Sequence, residues 1–279
     1  MQGASWEKAG NGCKMNPGWN TRFKTCVFAD DLSGSLRQIF QDAEACLAQA
    51  VMVKNSRSTP AGIFVAEGQK FFIKRSNVNS LPERLRRIGR ISRAMRNWQM
   101  AAELSAIGIR TPRVYMALST YPWLLPGASY LIIECLPESI TAQDYLQELF
   151  LEPGQLEGAV AKITAMLYRM HNHGIEHGDL KLSNILAWPD AGGMFHFGVF
   201  DLDGSVKHRQ GCSHAVRCGE LARAASSCII CLETLTGKVM APAQRQAIIA
   251  AWAHGYNLAG GADYTQDKDY CRKLKKFIS

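Results

Sequence analysis

His177-Gly178-Asp179-Leu180-Lys181-Leu182-Ser183-Asn184 places an acid, a lysine and an amide side chain in one short polar loop. Downstream, Phe200-Asp201-Leu202-Asp203-Gly204 adds a further carboxylate, Asp201. Each residue type has a chemical use. A carboxylate such as Asp179 can accept, or at least orient, the proton of an attacking hydroxyl. A lysine such as Lys181 can offset charge building on a phosphoryl group. Asn184 and Asp201 offer the oxygen that hard Mg2+ prefers, and that ion takes few protein ligands beside phosphates and water. Phosphoryl transfer from ATP asks a protein for positioning and charge stabilisation and little else. An isolated Asp after a helix would read as a loop cap; the four residues together at these spacings argue against that.

Working outward, residues 155–173 carry Val160, Ile163, Leu167 and Met170 at helical spacing, with Gly174 as the stop. Beyond the loop, 185–188 and 195–200 read as a hairpin, which folds Asn184 and Asp201 towards each other. Residues 215–279 read as mostly helical. Upstream, 62–66 and 70–74 flank Glu67-Gly68-Gln69 as another hairpin. Lys74 ends its Phe-Phe-Ile-Lys strand, where a lysine can reach the α- and β-phosphates of a nucleotide. The spacing of Leu36, Ile39, Phe40, Ala43, Leu47 and Ala50 predicts one helix over 35–53. The stretch 82–106 reads as one or two helices, stopped by Thr111-Pro112, and 114–118 and 130–134 read as strands. Thr141 with Asp144 three residues on predicts a helix start. The expectation is an α+β, bilobal chain. It comprises a flexible arm (1–20), a small sheet-rich N-lobe that binds nucleotide (21–134), a hinge (135–140) and a larger, mostly helical catalytic C-lobe (141–279). A cleft between two lobes is a natural nucleotide site.

Composition narrows the class. The chain has 279 residues, 47% of them hydrophobic, and no run of the ~20 apolar residues that a membrane span needs. The first residues lack an apolar secretory core, and Gln2 excludes N-myristoylation, so the expected compartment is the cytosol. Nine cysteines without such a signal argue against a disulfide scaffold. Cys228-Ile229-Ile230-Cys231 sits in an apolar helical run and reads as packing. The His171, His173 and His177 pattern reads as structural rather than as a zinc site. The net charge of +8 is concentrated in Arg84, Arg86, Arg87, Arg90, Arg93 and Arg96, and in Arg272, Lys273, Lys275 and Lys276. Such patches suit phosphates, anionic lipid surfaces or nucleic acid, or stand simply as a solvated helix face. Aromatics are not interleaved with the arginines as stacking on nucleic acid would require, so no nucleic-acid partner is expected.

With these residues in view, the chain resembles the protein-kinase-like superfamily. Within it, the likeness is to the lipopolysaccharide core kinases, the Kdo and heptose kinase family. Besides the catalytic loop and Phe200-Asp201-Leu202-Asp203, it rests on Lys54-Asn55-Ser56-Arg57-Ser58-Thr59, Phe71-Phe72-Ile73-Lys74-Arg75, Asn97-Trp98 and Gly108-Ile109-Arg110-Thr111-Pro112. It covers roughly residues 50–235. The resemblance implies ATP- and Mg2+-dependent phosphorylation of a heptose or Kdo hydroxyl in the lipopolysaccharide inner core. Asp179 and Lys181 would be catalytic, Lys74 would bind nucleotide, and Asn184 and Asp201 would hold the metal. The acceptor would be a lipid-linked core oligosaccharide, met at the cytoplasmic face of the inner membrane by a protein in peripheral contact with that anionic surface.

Three features depart from the superfamily pattern. No G-x-G-x-x-G precedes the first hairpin; Ser56, Ser58, Thr59 and Gly62 are what residues 55–62 offer to phosphates. Asn97 stands before Trp98 where relatives often carry Glu, which leaves Glu83, Glu103 or no residue as the acidic partner of Lys74. No Ala-Pro-Glu follows Asp201, and loss of a peptide-holding segment argues for a non-protein acceptor. The alternatives are a small-molecule kinase of the aminoglycoside type, an atypical protein Ser/Thr kinase, or a pseudokinase binding module at the membrane. Lys181 leans away from the first. The complete set Lys74, Asp179, Asn184 and Asp201 opposes the last.

Overall fold

The computed structural model describes residues 22–136, 140–149, 155–190, 192 and 194–278. The expected arm, residues 1–20, and positions 137–139 of the expected hinge lie outside the described residues. The chain divides into two compact units, Met1–Met95 with Val114–Glu134, and Arg96–Arg113 with Cys135–Ser279.

The first unit is built on a six-stranded antiparallel sheet in the order β1-β5-β6-β4-β3-β2. Its strands are β1 (Arg22–Phe28), β2 (Val51–Lys54), β3 (Ala61–Ala66), β4 (Gln69–Ser76), β5 (Val114–Pro122) and β6 (Ser129–Glu134). β3 and β4 form the expected hairpin. Its turn residues Glu67 and Gly68 both have positive φ (49° and 74°), the pair of conformations that a two-residue turn of matching twist requires. Lys74 lies between Ala61 of β3 and Leu131 of β6, and β4 continues past it to Ser76. Phe71 and Ile73 are buried, whereas Phe72 and Lys74, at the alternate positions of the pleat, are half-buried.

One expectation fails here. The helix predicted over 35–53 is two helices and a strand: α1 (Gly34–Gln41), α2 (Ala43–Gln49) and β2. Asp42 is the cause. Its backbone leaves the helical region, and its Oδ1 accepts the Ala45 N–H at 3.1 Å as the N-cap of α2. Val51 and Met52 then pair with Ile63 and Gly62. Gly62 is needed at that register, because a Cβ there would stand 2.8 Å from the Val51 carbonyl oxygen. α1 seats Phe40 edge-on against Phe71 (5.0 Å between centroids) and Phe64 (5.8 Å). Burying such a ring stabilises by roughly 1.5–3 kcal/mol. The basic stretch forms two helices, α3 (Leu81–Arg86), capped by Ser80, and α4 (Arg93–Ala106).

The second unit is mainly helical, with α5 (Ala142–Leu149), α6 (Gln155–Asn172), α7 (His214–Thr236), α8 (Pro242–Leu258) and α9 (Lys268–Ile278). α7 packs on α9, and α6 on α8. Ser213 caps the start of α7 and Gly237, at φ 64°, ends it. The buried Cys228 and Cys231 are packing residues of α7, as the apolar run implies. Two small antiparallel sheets carry the loops of interest: β10 (Phe195–Val199), β9 (Ile185–Pro189) and β7 (Ile140–Thr141); and β11 (Val206–Lys207) with β8 (Ile175–Glu176). The α+β expectation, with antiparallel sheet first and helices after, describes the chain.

Candidate active site

The loop 177–184 has a buried back and an open front, both within the second unit. At the back, Glu220 projects from α7 with its side chain 6% exposed. Its Oε2 accepts the backbone N–H of His177 at 3.0 Å and Nε2–H of His171 at 3.1 Å. Its Oε1 accepts the Gly178 N–H at 2.6 Å. Burial raises the pKa of Glu220, but the bonds from His171 and the loop N–H groups outweigh it and leave the carboxyl below its ordinary 4.5. The network runs on, with Arg217 donating to the Tyr256 hydroxyl (3.1 Å) and that hydroxyl meeting His171 Nδ1 (2.8 Å).

His177 is fully buried and works as a brace. Its Nδ1 accepts the Asp179 N–H at 3.3 Å, and its Nε2–H donates to the Phe200 carbonyl at 2.9 Å. The ring therefore ties the loop to the residue preceding Asp201. Gly178 contributes by having no side chain. At φ 84°, its Cβ would lie 2.5 Å from the Gly204 carbonyl oxygen, so the loop and the 200–204 turn close backbone to backbone. Ser205 Oγ donates to the His177 carbonyl at 3.1 Å, and the Val206–Glu176 strand pair closes the clamp.

At the front, the Asp179 side chain is 38% exposed. Arg223, one helical turn beyond Glu220 on α7, places Nε at 3.0 Å and Nη2 at 2.7 Å from Asp179 Oδ1. Lys181 Nζ lies 3.5 Å from Oδ2. Partial burial raises the Asp179 pKa; the charges of Lys181 and Arg223 outweigh it and hold the carboxyl below its ordinary 3.8. Asn184, on a short 3₁₀ turn (Leu182–Asn184), is buried and donates Nδ2–H to the Asp179 carbonyl at 2.8 Å and to Oδ2 at 3.3 Å.

The hairpin register brings the second carboxylate alongside. Val199 pairs with Ile185, and the Phe200 N–H donates to the Asn184 carbonyl at 3.1 Å, so Asp201 follows directly from Asn184's neighbour. Asp201 adopts the left-handed conformation (φ 60°, ψ 58°), which an Asp tolerates better than a bulky residue, and its side chain is exposed. Asp203 turns the other way, accepting Asn97 Nδ2–H at 2.7 Å, while its carbonyl takes Arg96 at 2.8 Å. Asn97 thus has a structural post against the Asp-Leu-Asp turn.

The donor set suits Mg2+. Asn184 commits its amide N–H to Asp179, which leaves its Oδ1 as the atom it could offer a cation, and the Asp201 residue is exposed; both side chains are of the hard oxygen-donor type. The histidines of the H-x-H-x₃-H pattern do not converge: His171 bonds Glu220 and Tyr256, His173 the Arg169 carbonyl, and His177 the Phe200 carbonyl. A different trio, His214, Cys218 and Asp267, holds ligand-type atoms within 4.8 Å. Asp267 is occupied there as the cap of α9, accepting the N–H groups of Asp269 and Tyr270.

In the first unit, Lys74 is set by the sheet register given above. The hydroxyls before the first hairpin are partly used internally: Ser56 Oγ accepts the Thr59 N–H at 3.0 Å and meets Thr59 Oγ1 at 3.2 Å. Glu83 takes Arg87 at 2.6 Å, and Glu103, in the second unit, takes Lys207 at 2.6 Å. Sequence reading missed Glu220 and Arg223. Their signal was available as charges recurring every three residues, Arg217, Glu220 and Arg223, just ahead of a small and apolar helical run.

None of the curated proteins matches the sequence. Among solved structures, "WaaP in complex with acyl carrier protein" superposes with a TM-score of 0.62 at 16% identity, over 91% of this chain and 100% of that one, which establishes a shared fold. A "Glucosamine kinase in complex with glucosamine, ADP and inorganic phosphate" gives 0.49 at 15% identity, over 84% and 81%, too distant to carry an argument. The family model for the lipopolysaccharide kinase (Kdo/WaaP) family matches residues 56–223, a span from the Ser56 turn to Arg223 that takes in Lys74 and the whole loop with its clamp. The chain belongs to that family, and is a phosphotransferase acting on a sugar hydroxyl of the lipopolysaccharide core.

Proposed function

We propose that this protein transfers the γ-phosphoryl group of ATP to a hydroxyl of heptose or Kdo in the lipopolysaccharide inner core. The observation that carries the reading is the open carboxylate of Asp179 on a loop fixed from behind by Glu220 and His177. A carboxylate held below 3.8 is a weak base at neutral pH. Its service is to accept a hydrogen bond from the acceptor hydroxyl and align that oxygen with phosphorus, taking the proton late. A loose, metaphosphate-like transition state demands little more of a base. Lys181, already beside Asp179, offsets charge on the transferred group. Lys74 pairs with the α- and β-phosphates. Asn184 and Asp201 would hold Mg2+, which would supply positive charge to offset that of the nucleotide phosphates. The test is mass analysis of the lipopolysaccharide core from cells with the intact gene and with Asp179→Ala. Loss of one phosphate unit in the variant is expected; unchanged core phosphate sinks the reading.

We further propose peripheral contact with an anionic membrane surface at the cytoplasmic face, through α3. That helix is capped yet buries none of its residues. Leu81 and Leu85, four residues apart on that helix, and Ile88, in the turn that follows it, are 60%, 52% and 56% exposed. Arg84, Arg86 and Arg90 stand among them. Exposed apolar side chains ringed by arginine match the chemistry of an anionic lipid interface. Among the described residues, no helix is long and apolar enough to cross a membrane. Sedimentation with phosphatidylglycerol vesicles tests the contact: Leu85→Ser with Ile88→Ser should lose most of the binding, and full retention contradicts it.

A further inference from the structure

The second unit contains a cavity of about 290 Å³ whose wall includes Lys181 and Arg223, the two cations that hold Asp179. The rest of the lining comes mainly from three helices. α5 supplies the amides of Gln143 and Gln147, α7 the hydroxyl of Thr234, and α9 the ring of Phe277. The composition is distinctive. The two amides can donate to and accept from sugar hydroxyls, and the Thr234 hydroxyl, whose hydrogen goes to the Ile230 carbonyl at 2.7 Å, can accept from one. One aromatic face beside them suits the apolar side of a pyranose ring. The Arg223 guanidinium stands over the Phe277 ring at 5.1 Å, so the ring also steadies the cation. Nothing in the phosphoryl-transfer roles assigned above uses Gln143, Gln147, Thr234 or Phe277.

We infer that this cavity receives the acceptor sugar, and that Arg223 reads an anionic substituent on it, a carboxylate or a phosphate. The inference rests on the kinase reading for its reaction and adds where the acceptor sits. It also gives the Arg223–Asp179 contact a second meaning. Arg223 has one fork and two claimants: the Asp179 carboxylate and an anionic group in the cavity. An acceptor that engages Arg223 draws charge away from Asp179 and leaves that carboxylate for the hydroxyl it must orient. A neutral sugar of the same shape fills the cavity without that exchange.

The experiment uses the full chain and deacylated inner-core oligosaccharides. One bears Kdo carboxylates alone, one also carries phosphate, and one has its carboxylates reduced to alcohols. Calorimetric binding is measured beside turnover with ATP, for the wild type, Gln147→Ala and Phe277→Ala. Both variants should weaken oligosaccharide binding and raise its KM by about tenfold, while the KM for ATP stays within about twofold. The reduced oligosaccharide should bind the wild type about tenfold more weakly than its carboxylated parent, and a further gain with the phosphorylated one would name phosphate as the group read. Phosphorylation with unchanged acceptor KM in both variants overturns the cavity and leaves the kinase reading standing. Oligosaccharide binding that both variants weaken, without phosphorylation, overturns the kinase reading and leaves the cavity standing. Neither binding nor turnover by the wild type overturns both.

Discussion

The back and the front of the 177–184 loop each carry one carboxylate, and the two are built to opposite ends. Glu220 is buried and satisfied by two backbone N–H groups and His171. Asp179 is open, and its partners Arg223 and Lys181 are side chains that can be re-paired. Burial raises both carboxyls, yet both sit below their ordinary pKa for different reasons: His171 and backbone hydrogen bonds at the back, the side-chain charges of Lys181 and Arg223 at the front. The contrast separates holding a loop from using it. A buried acid whose partners are backbone groups can fix geometry; an exposed acid with exchangeable partners can meet a substrate.

The largest effect expected from breaking this contrast is at the front. Asp179→Asn should lower kcat by about 10²- to 10⁴-fold, measured as phosphate transfer. Its thermal unfolding should change little, since exposed ion pairs contribute only about 0–1 kcal/mol. Glu220→Ala should show the reverse ordering, costing about 3–5 kcal/mol of stability because it strands buried donors, with activity falling alongside. Chemical denaturation of both variants checks the pair. An Asp179→Asn more destabilised than Glu220→Ala would erase the distinction. Gly178→Ala should follow at about 1–3 kcal/mol, since its Cβ meets the Gly204 carbonyl at 2.5 Å.

The smallest effect concerns pH. Glu220 has a depressed folded pKa, so its stabilisation is complete above its ordinary 4.5 and is lost as pH falls through the lower folded value. The stability gap between wild type and Glu220→Gln should therefore be constant from pH 6 to 7 and narrow below about 4.5. A gap that widened with acid would contradict the assignment.

The same contrast explains what was legible in the sequence. Asp179, Lys181, Asn184 and Asp201 lie within one loop and one hairpin, so their spacing alone brings them together. Lys74 could be placed on its strand for the same local reason. Glu220 and Arg223 come from a helix far along the chain, and which face of α7 meets the loop is decided by tertiary packing. The helix predicted over 35–53 failed because apolar periodicity runs through Val51 and Val53 without a break; the break is a cap, Asp42, and a strand partner, β3. Asn97 likewise shows its use only with Asp203 in place, at 2.7 Å.

The central claim is that the open carboxylate on this braced loop directs ATP's phosphoryl group to a core sugar. The most direct measurement follows label from γ-³²P ATP into deacylated inner-core oligosaccharide, with purified wild type and Asp179→Asn side by side. The account predicts label in the oligosaccharide with the wild type and its near-complete loss in the variant. Label released only as inorganic phosphate by the wild type, or equal transfer by Asp179→Asn, would contradict it.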